Sequence, residues 1–302
     1  MVDHNRRLLI VGASGFIGQR LAAIAYDGYD VFRADLAEPA KPDEIKMDVT
    51  DQASVVNGFD AVRPNAIVML AAIADIDQCE RQPELARAVN VDGAVRVADE
   101  CARRGVRFVY TSSAAVYDGS RHGYVEEDPP TPLSVYGRTK AQAEVGVMAI
   151  LPDAIILRPA LVLGFSAASR TNAMLNKLAD SFRAGQVVRV PDYEYRNPID
   201  ADTICHAILC LIELDQTRGI YHIGALDSIS RFELVCRLAD RLGFARMLVE
   251  AQREPLPGRA PRGFDHFLLT RRLSQETGIE MPTCDMVLER CLHAAAQSDT
   301  RA

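Results

Sequence analysis

The chain has no apolar run long enough to span a bilayer. It also has no basic start followed by an apolar core, so no signal peptide is read. It has no CxxC pair. Its seven cysteines, Cys79, Cys101, Cys205, Cys210, Cys236, Cys284 and Cys291, are odd in number and scattered, which argues against a disulfide framework and fits reduced thiols in a cytoplasm. Cys205, His206 and Cys210 lack the spacing of a tetrahedral metal site. They fall within an apolar-periodic helix, so no metal is expected there. Positive charge is not in excess: the formal net charge is −7, which argues against nucleic acid or an anionic membrane as the main partner. No internal repeat or low-complexity segment is found.

What is present is an ordinary globular composition. The 302 residues are 48% hydrophobic and 25% charged, enough to bury a real core in one large domain or two modest ones.

Residues 8–18, LLIVGASGFIG, organise the rest. A short apolar strand at 8–11 ends in Gly12, Gly15 and Gly18, and a helix is predicted from Phe16 to about Ala25. Glycines without Cβ let the backbone turn sharply and let a pyrophosphate approach main-chain N–H groups. The helix N-terminus adds a partial positive charge facing that anion.

Strands and helices then alternate, which implies a parallel, doubly wound sheet. A second strand at 29–34 leads to Asp35, placed to grip the adenosine ribose hydroxyls. That carboxylate favours NAD over NADP, Arg33 on the same strand weakens the preference, and a turn or cap role for Asp35 is the alternative. A strand at 45–49 places Asp48 where it can accept from an adenine amino group. A short helix at 51–59, a strand at 66–70 and one long helix at 83–104 follow. Leu70, Ala71 and Ala72 are small or apolar where a backbone would pass a cofactor. Asn90 interrupts the long helix, either as a solvent-facing position or with a functional role.

The fifth strand, 107–110, runs into the hydroxyls of Thr111, Ser112 and Ser113, at the strand end where open α/β sheets bind ligands. A proline-rich loop precedes a helix starting near Ser134. It carries Tyr136 and Lys140, four residues apart and so on one face. A tyrosine hydroxyl titrates near 10 when unperturbed. A lysine ammonium one turn away stabilises the phenolate and is expected to lower that value. Ser113 can orient a carbonyl oxygen for protonation by Tyr136, a set suited to proton transfer coupled to hydride transfer at a nicotinamide.

A sixth strand at 154–157 leads to Pro159, whose ring exposes backbone to a ligand. Beyond residue 162 the alternation fades. Helices are predicted at 172–183, 202–214 and 231–242, strand pieces at 187–190, 193–196 and 219–223, a loop at 253–262 and a frayed tail at 298–302.

GASGFIG, Asp35, Asp48-Val49, TSSAAVY and YGRTK together resemble the extended short-chain dehydrogenase/reductase family. ADIDQCERQPELARAVNVDGA, YRNPIDADT, GIYHIGALDSISRFELVCRLADRLG and RGFDHFLLT are similar to its dTDP-4-dehydrorhamnose reductase branch. The resemblance implies an α/β Rossmann-type domain over 1–161, with 197–223 returning to it, and a smaller mixed α/β substrate domain over 162–302. It implies that Ser113 and Tyr136 bind a keto oxygen, with Tyr136 the proton donor, and that Lys140 touches the nicotinamide ribose. Gly12, Ser14, Gly15, Phe16, Ile17, Gly18, Asp35, Asp48, Val49, Leu70, Ala71 and Ala72 would line the dinucleotide, with Pro159 near the nicotinamide amide.

The implied activity is NAD(P)-dependent reduction of a 4-keto nucleotide sugar. Arg189, Arg253, Arg259 and Arg262 are candidates for its diphosphate, or else surface residues. The resemblance also allows a homodimer through helices 83–104 and 134–150. Two departures stand out. Met69 lies where relatives often carry His, and Ser113-Ala114-Ala115 stands where the branch often has Thr-Asp-Tyr, which is closer to epimerases and dehydratases. An epimerase or dehydratase with the same triad, or a regulatory subunit that keeps the cofactor site without turnover, are the alternatives.

Overall fold

Short strands of unbroken apolar residues, such as Leu8-Leu9-Ile10-Val11 and Ala66-Ile67-Val68-Met69, suit a sheet buried on both faces. A computed structural model of the chain describes residues 6–165, 174–256 and 258–299 and shows that sheet. In chain order its first half contains β1 (Arg7–Val11), α1 (Phe16–Ala25), β2 (Asp30–Asp35), β3 (Glu44–Lys46), α2 (Gln52–Val62), β4 (Ala66–Met69), α3 (Ile76–Arg81) and α4 (Pro83–Arg87). A π-helical turn (Ala88–Gly93) follows, then α5 (Ala94–Arg104), β5 (Arg107–Thr111), α6 (Val135–Ile150) and β6 (Ile155–Pro159). The second half adds β7 (Val162–Leu163), α7 (Met174–Arg183), β8 (Val188–Pro191), β9 (Tyr195–Arg196), β10 (Ile199–Asp200), α8 (Ala201–Glu213) and β11 (Gly219–Ile223). It closes with β12 (Ile229–Ser230), α9 (Arg231–Arg241), β13 (Val249–Gln252), β14 (Asp265–His266), α10 (Arg271–Thr277) and α11 (Cys284–Asp299).

The main sheet has seven strands in the order β11-β6-β5-β4-β1-β2-β3, all parallel. The strand order reverses between β1 and β4, and a doubly wound sheet binds ligands at the carboxyl ends of such a pair. One face packs Leu21 and Ala22 of α1 and Ile204 and Ile208 of α8. The other packs Val55 and Phe59 of α2, Val97 and Ala98 of α5, and Ala143 and Val147 of α6. A separate apolar cluster gathers Leu163, Leu175, Phe182, Leu234, Leu238, Val287 and Leu288 beyond the carboxyl end of β6. Among the described residues no helix is long and apolar enough to cross a membrane.

Several sequence expectations shift. The third strand ends at Lys46 rather than at residue 49, because the Asp48 carboxylate accepts from the backbone N–H and hydroxyl of Thr50 and starts a turn. The helix predicted at 83–104 is broken by the π turn at Asn90. Asn90 is buried, not solvent-facing: it accepts from Ile73 N–H at 2.8 Å and donates to Ile73 O and to Thr139 Oγ1, both at 3.1 Å. Helices α3, α10 and α11 were not anticipated, and Leu273 of α10 joins the first core. Residues 298 and 299, expected to fray, belong to α11, while 300–302 lie outside the described residues, as do 172 and 173 at the start of the helix predicted at 172–183. Cys205 is fully buried in α8, and among the described residues no group of side chains is placed to bind a metal.

Candidate active site

The carboxyl ends of β1, β4, β5 and β6 open into a cleft of about 750 Å³. Gly12, at the end of β1, has φ +88°, and a Cβ there would lie 2.5 Å from Ala71 N. A Cβ on Gly18 would lie 2.5 Å from Gly12 O, so both glycines allow contacts that no other residue permits. Helix α1 starts at Gly15 with no side chain capping it, which leaves its first-turn N–H groups available to an anion in the cleft.

The wall opposite carries the hydroxyl and amine groups. Ser113 caps a short 3-10 turn (Ala114–Val116) with Oγ accepting from Ala115 N–H at 3.1 Å. Ser134 caps α6 by accepting from Gly137 N–H at 3.1 Å, and this fixes where Tyr136 and Lys140 point. Ser113 hydrogen-bonds the Tyr136 hydroxyl. Lys140 Nζ donates to Thr111 O at 2.8 Å and stands 6.0 Å from the Tyr136 ring centre. The Tyr136 phenol is pushed up to about 12 by burial, with the Ser113 bond pulling it back. This corrects the expectation of a phenol lowered by Lys140: the ammonium is turned to the carbonyl of Thr111 on β5. Lys140 itself is pushed down to about 8 by burial, opposed by Glu144.

The structure gathers Gly12, Gly15, Phe16, Ile17, Gly18, Leu70, Ala72, Ser113, Tyr136, Lys140 and Pro159 around one cleft. Ser14 and Asp35 are not among the lining residues; the Asp35 carboxylate accepts from Ser14 N–H and Leu36 N–H, both at 2.9 Å. Ala71 lies behind Gly12 and donates its N–H to Val11 O. Val49 is buried against Gly93, and the Asp48 carboxylate is held by Thr50 below its usual range. These three residues do not line the cleft. The residues present fit a dinucleotide: a glycine cradle closed to any Cβ faces an uncapped helix end. Thr111 Oγ1 also lines the cleft, buried and without a hydrogen-bond partner.

Of the four arginines proposed for a diphosphate, Arg259 and Arg262 line the cleft. Arg189 does not; it is exposed and paired with Glu250, and Arg253 does not line the cleft either. Sequence reasoning missed Arg196 and Arg231, which join them. Both reach Glu194, at 3.3 and 3.1 Å, and Arg259 reaches it at 3.7 Å. The alternation of Glu194 and Arg196 in YEYRNP, ahead of a proline that breaks pairing, was the available signal. Burial pulls Arg196 down to about 10 and lowers Arg259 as well.

Residues 6–297 match the RmlD substrate binding domain family. The chain belongs to this family. Among curated relatives, the dTDP-4-dehydrorhamnose reductase of Aggregatibacter actinomycetemcomitans is 29% identical over 78% of this chain and 78% of its own length. The methionine adenosyltransferase 2 subunit beta of Pongo abelii is 28% identical over 78% of this chain and 72% of its own. A crystal structure of dTDP-4-dehydrorhamnose reductase from Bacillus anthracis in complex with NADP superposes with a TM-score of 0.86. It covers 96% of this chain and 99% of that one, at 23% identity, and so shares the fold of this RmlD-family member.

Proposed function

We propose that this RmlD-family protein is an NAD(P)-dependent oxidoreductase that reduces a 4-keto nucleotide sugar, with residues 162–302 supplying most of the sugar-nucleotide contacts. The observation that carries the reading is the meeting of Ser113, Tyr136 and Lys140 with the glycine cradle across one cleft. A reduced nicotinamide bound there supplies hydride to the keto carbon. Ser113 orients the keto oxygen, and Tyr136 gives it a proton. Lys140 sits one helical turn from Tyr136, where its ammonium can lower the cost of the phenolate left behind. Gly12 to Gly18 and the start of α1 hold the pyrophosphate, and Asp35 holds the adenosine ribose. The arginines around Glu194 hold the substrate diphosphate, since a guanidinium binds phosphate bidentately.

NAD is the favoured cofactor. The Asp35 carboxylate repels a 2′-phosphate, and Arg33 is unavailable to receive one because it pairs with Asp43 and Glu44, both at 2.8 Å. Replacing Asp35→Ser should shift preference toward NADP by about tenfold or more, since like-charge juxtaposition costs several kcal/mol. A ratio of cofactor affinities that does not move removes Asp35 from the site.

The main test is a panel of 4-keto nucleotide sugars assayed for stoichiometric consumption of NADH or NADPH. The parent protein should turn over at least one, and Tyr136→Phe should lose ~10²–10⁴-fold in rate. An equal rate in the variant ends the reading. A second reading has its own support: relatives named as the beta subunit of a methionine adenosyltransferase favour a subunit role, and Ser113-Ala114-Ala115 in place of Thr-Asp-Tyr favours an epimerase or dehydratase. Protein that purifies with NAD bound and consumes none would favour an epimerase or a regulatory subunit.

A further inference from the structure

Behind the candidate site lies a dry polar network that none of the proposed roles uses. Glu144 is one turn beyond Lys140 on α6 and is almost completely buried. Its Oε1 accepts from Arg158 Nε at 2.9 Å, and its Oε2 from Arg158 Nη2 at 2.6 Å. The Ser112 hydroxyl donates to the same carboxylate. Arg158, also buried, donates from Nη1 to the Tyr117 hydroxyl, which bonds His222 Nε2 at 2.9 Å. The members sit next to the working groups in sequence. Ser112 precedes Ser113, Arg158 precedes Pro159, and Glu144 shares a helix face with Lys140.

We propose that Glu144 is a positioning residue for this site. Its carboxylate is the counter-charge of Lys140, and the Arg158 fork fixes that carboxylate between the ends of β5 and β6. The inference rests on the oxidoreductase reading only for its kinetic arm. The groups facing Lys140 are few. From α6 come Tyr136 and Glu144, and from β5 the Tyr110 ring at 4.8 Å and the Thr111 carbonyl. From α3 comes Cys79, with Asp75 and Glu80 beside it. Burial keeps the Tyr110 phenol and the Cys79 thiol neutral, Cys79 being pushed up to about 11. Asp75 caps α3 by accepting from Gln78 N–H, and Glu80 accepts from Val135 N–H. Glu144 is therefore the acidic group on Lys140's own helix face, and the Arg158 fork holds it in place.

The chain has four lysines, Lys41, Lys46, Lys140 and Lys177, so lysine-labelled NMR resolves Lys140 in cofactor-free protein, with Lys140→Met giving the assignment. The parent midpoint should lie near 8. Glu144→Gln should lower it by about one pH unit. That single change leaves Arg158 unmatched and can prevent folding, so Glu144→Gln/Arg158→Met is measured beside it. Loss of Arg158 alone would raise the Lys140 midpoint, so a fall in the double variant reports the missing carboxylate. The alkaline limb of the kcat/KM profile should move down with the midpoint, and Glu144→Asp should restore it.

A Lys140 midpoint that falls in neither Glu144→Gln nor the double variant overturns the proposal. So does an alkaline limb that stays in place while the midpoint moves. If the parent protein shows no turnover, the oxidoreductase reading fails, and the NMR titration still decides whether Glu144 governs Lys140.

Discussion

Glu144 and Glu194 are both almost fully buried, at 4% and 3% exposure, yet their surroundings differ in kind. Glu144 meets one arginine in a two-pronged bond, in a place closed to solvent. Glu194 meets three, Arg196, Arg231 and Arg259, on the wall of a cleft, with Arg262 alongside and paired to Asp77. Matched charge in a dry interior holds parts together. Outnumbered charge on a cleft wall is a place for an anion to bind, because partly desolvated cations gain most when a diphosphate arrives.

Removing an arginine from each cluster should separate the two cases. Arg158→Leu leaves Glu144 buried without its partner and should destabilise the fold by ~3–5 kcal/mol in denaturant titration. A loss under about 1 kcal/mol would mean that water or another cation takes its place. Arg231→Ala should leave the denaturation midpoint almost unchanged, because two arginines still match Glu194. It should weaken binding of a nucleoside diphosphate by about tenfold or more, as expected for ~1.5–3 kcal/mol in a hydrogen bond to a charged group. Calorimetry that finds equal affinity would place the anion elsewhere. The smallest effect should come from Glu194→Gln. Freed of their carboxylate, the arginines should bind inorganic pyrophosphate a few-fold tighter at low salt, with the gain fading as salt screens it.

The glycine half of the cleft was legible because backbone makes it. Gly18 is required by its contact with nearby Gly12, Gly12 by its positive φ as well as by distant Ala71, and Tyr136 and Lys140 share one turn of a single helix, so local spacing carries most of the information. Most of the seven-stranded sheet was legible for the same reason, β1, β4 and β6 containing apolar runs, whereas β3 is three residues with charged ends. The arginine wall was not. Arg196, Arg231, Arg259 and Arg262 come from separate segments, and only tertiary contact with Glu194 tells them from Arg189, which looks equivalent in sequence but pairs with Glu250 at the surface. Asn90 was ambiguous because its partners, Ile73 and Thr139, lie far away in the chain. The Tyr136 phenol was misjudged because spacing reports adjacency to Lys140, whereas its titration depends on burial and on where the ammonium points.

The π-helical turn at Ala88–Gly93 makes helix length here a matter of angle. Each residue advances an α-helix by about 100°. A π turn advances less per residue, so deleting one residue would close it to regular α-helix and leave Val97, Ala98 and Cys101 of α5 facing the interior they now fill. Asn90 would lose its grip on the backbone of Ile73 in the same movement. The extra residue of the turn therefore serves the placement of Asn90 rather than the facing of the two helices.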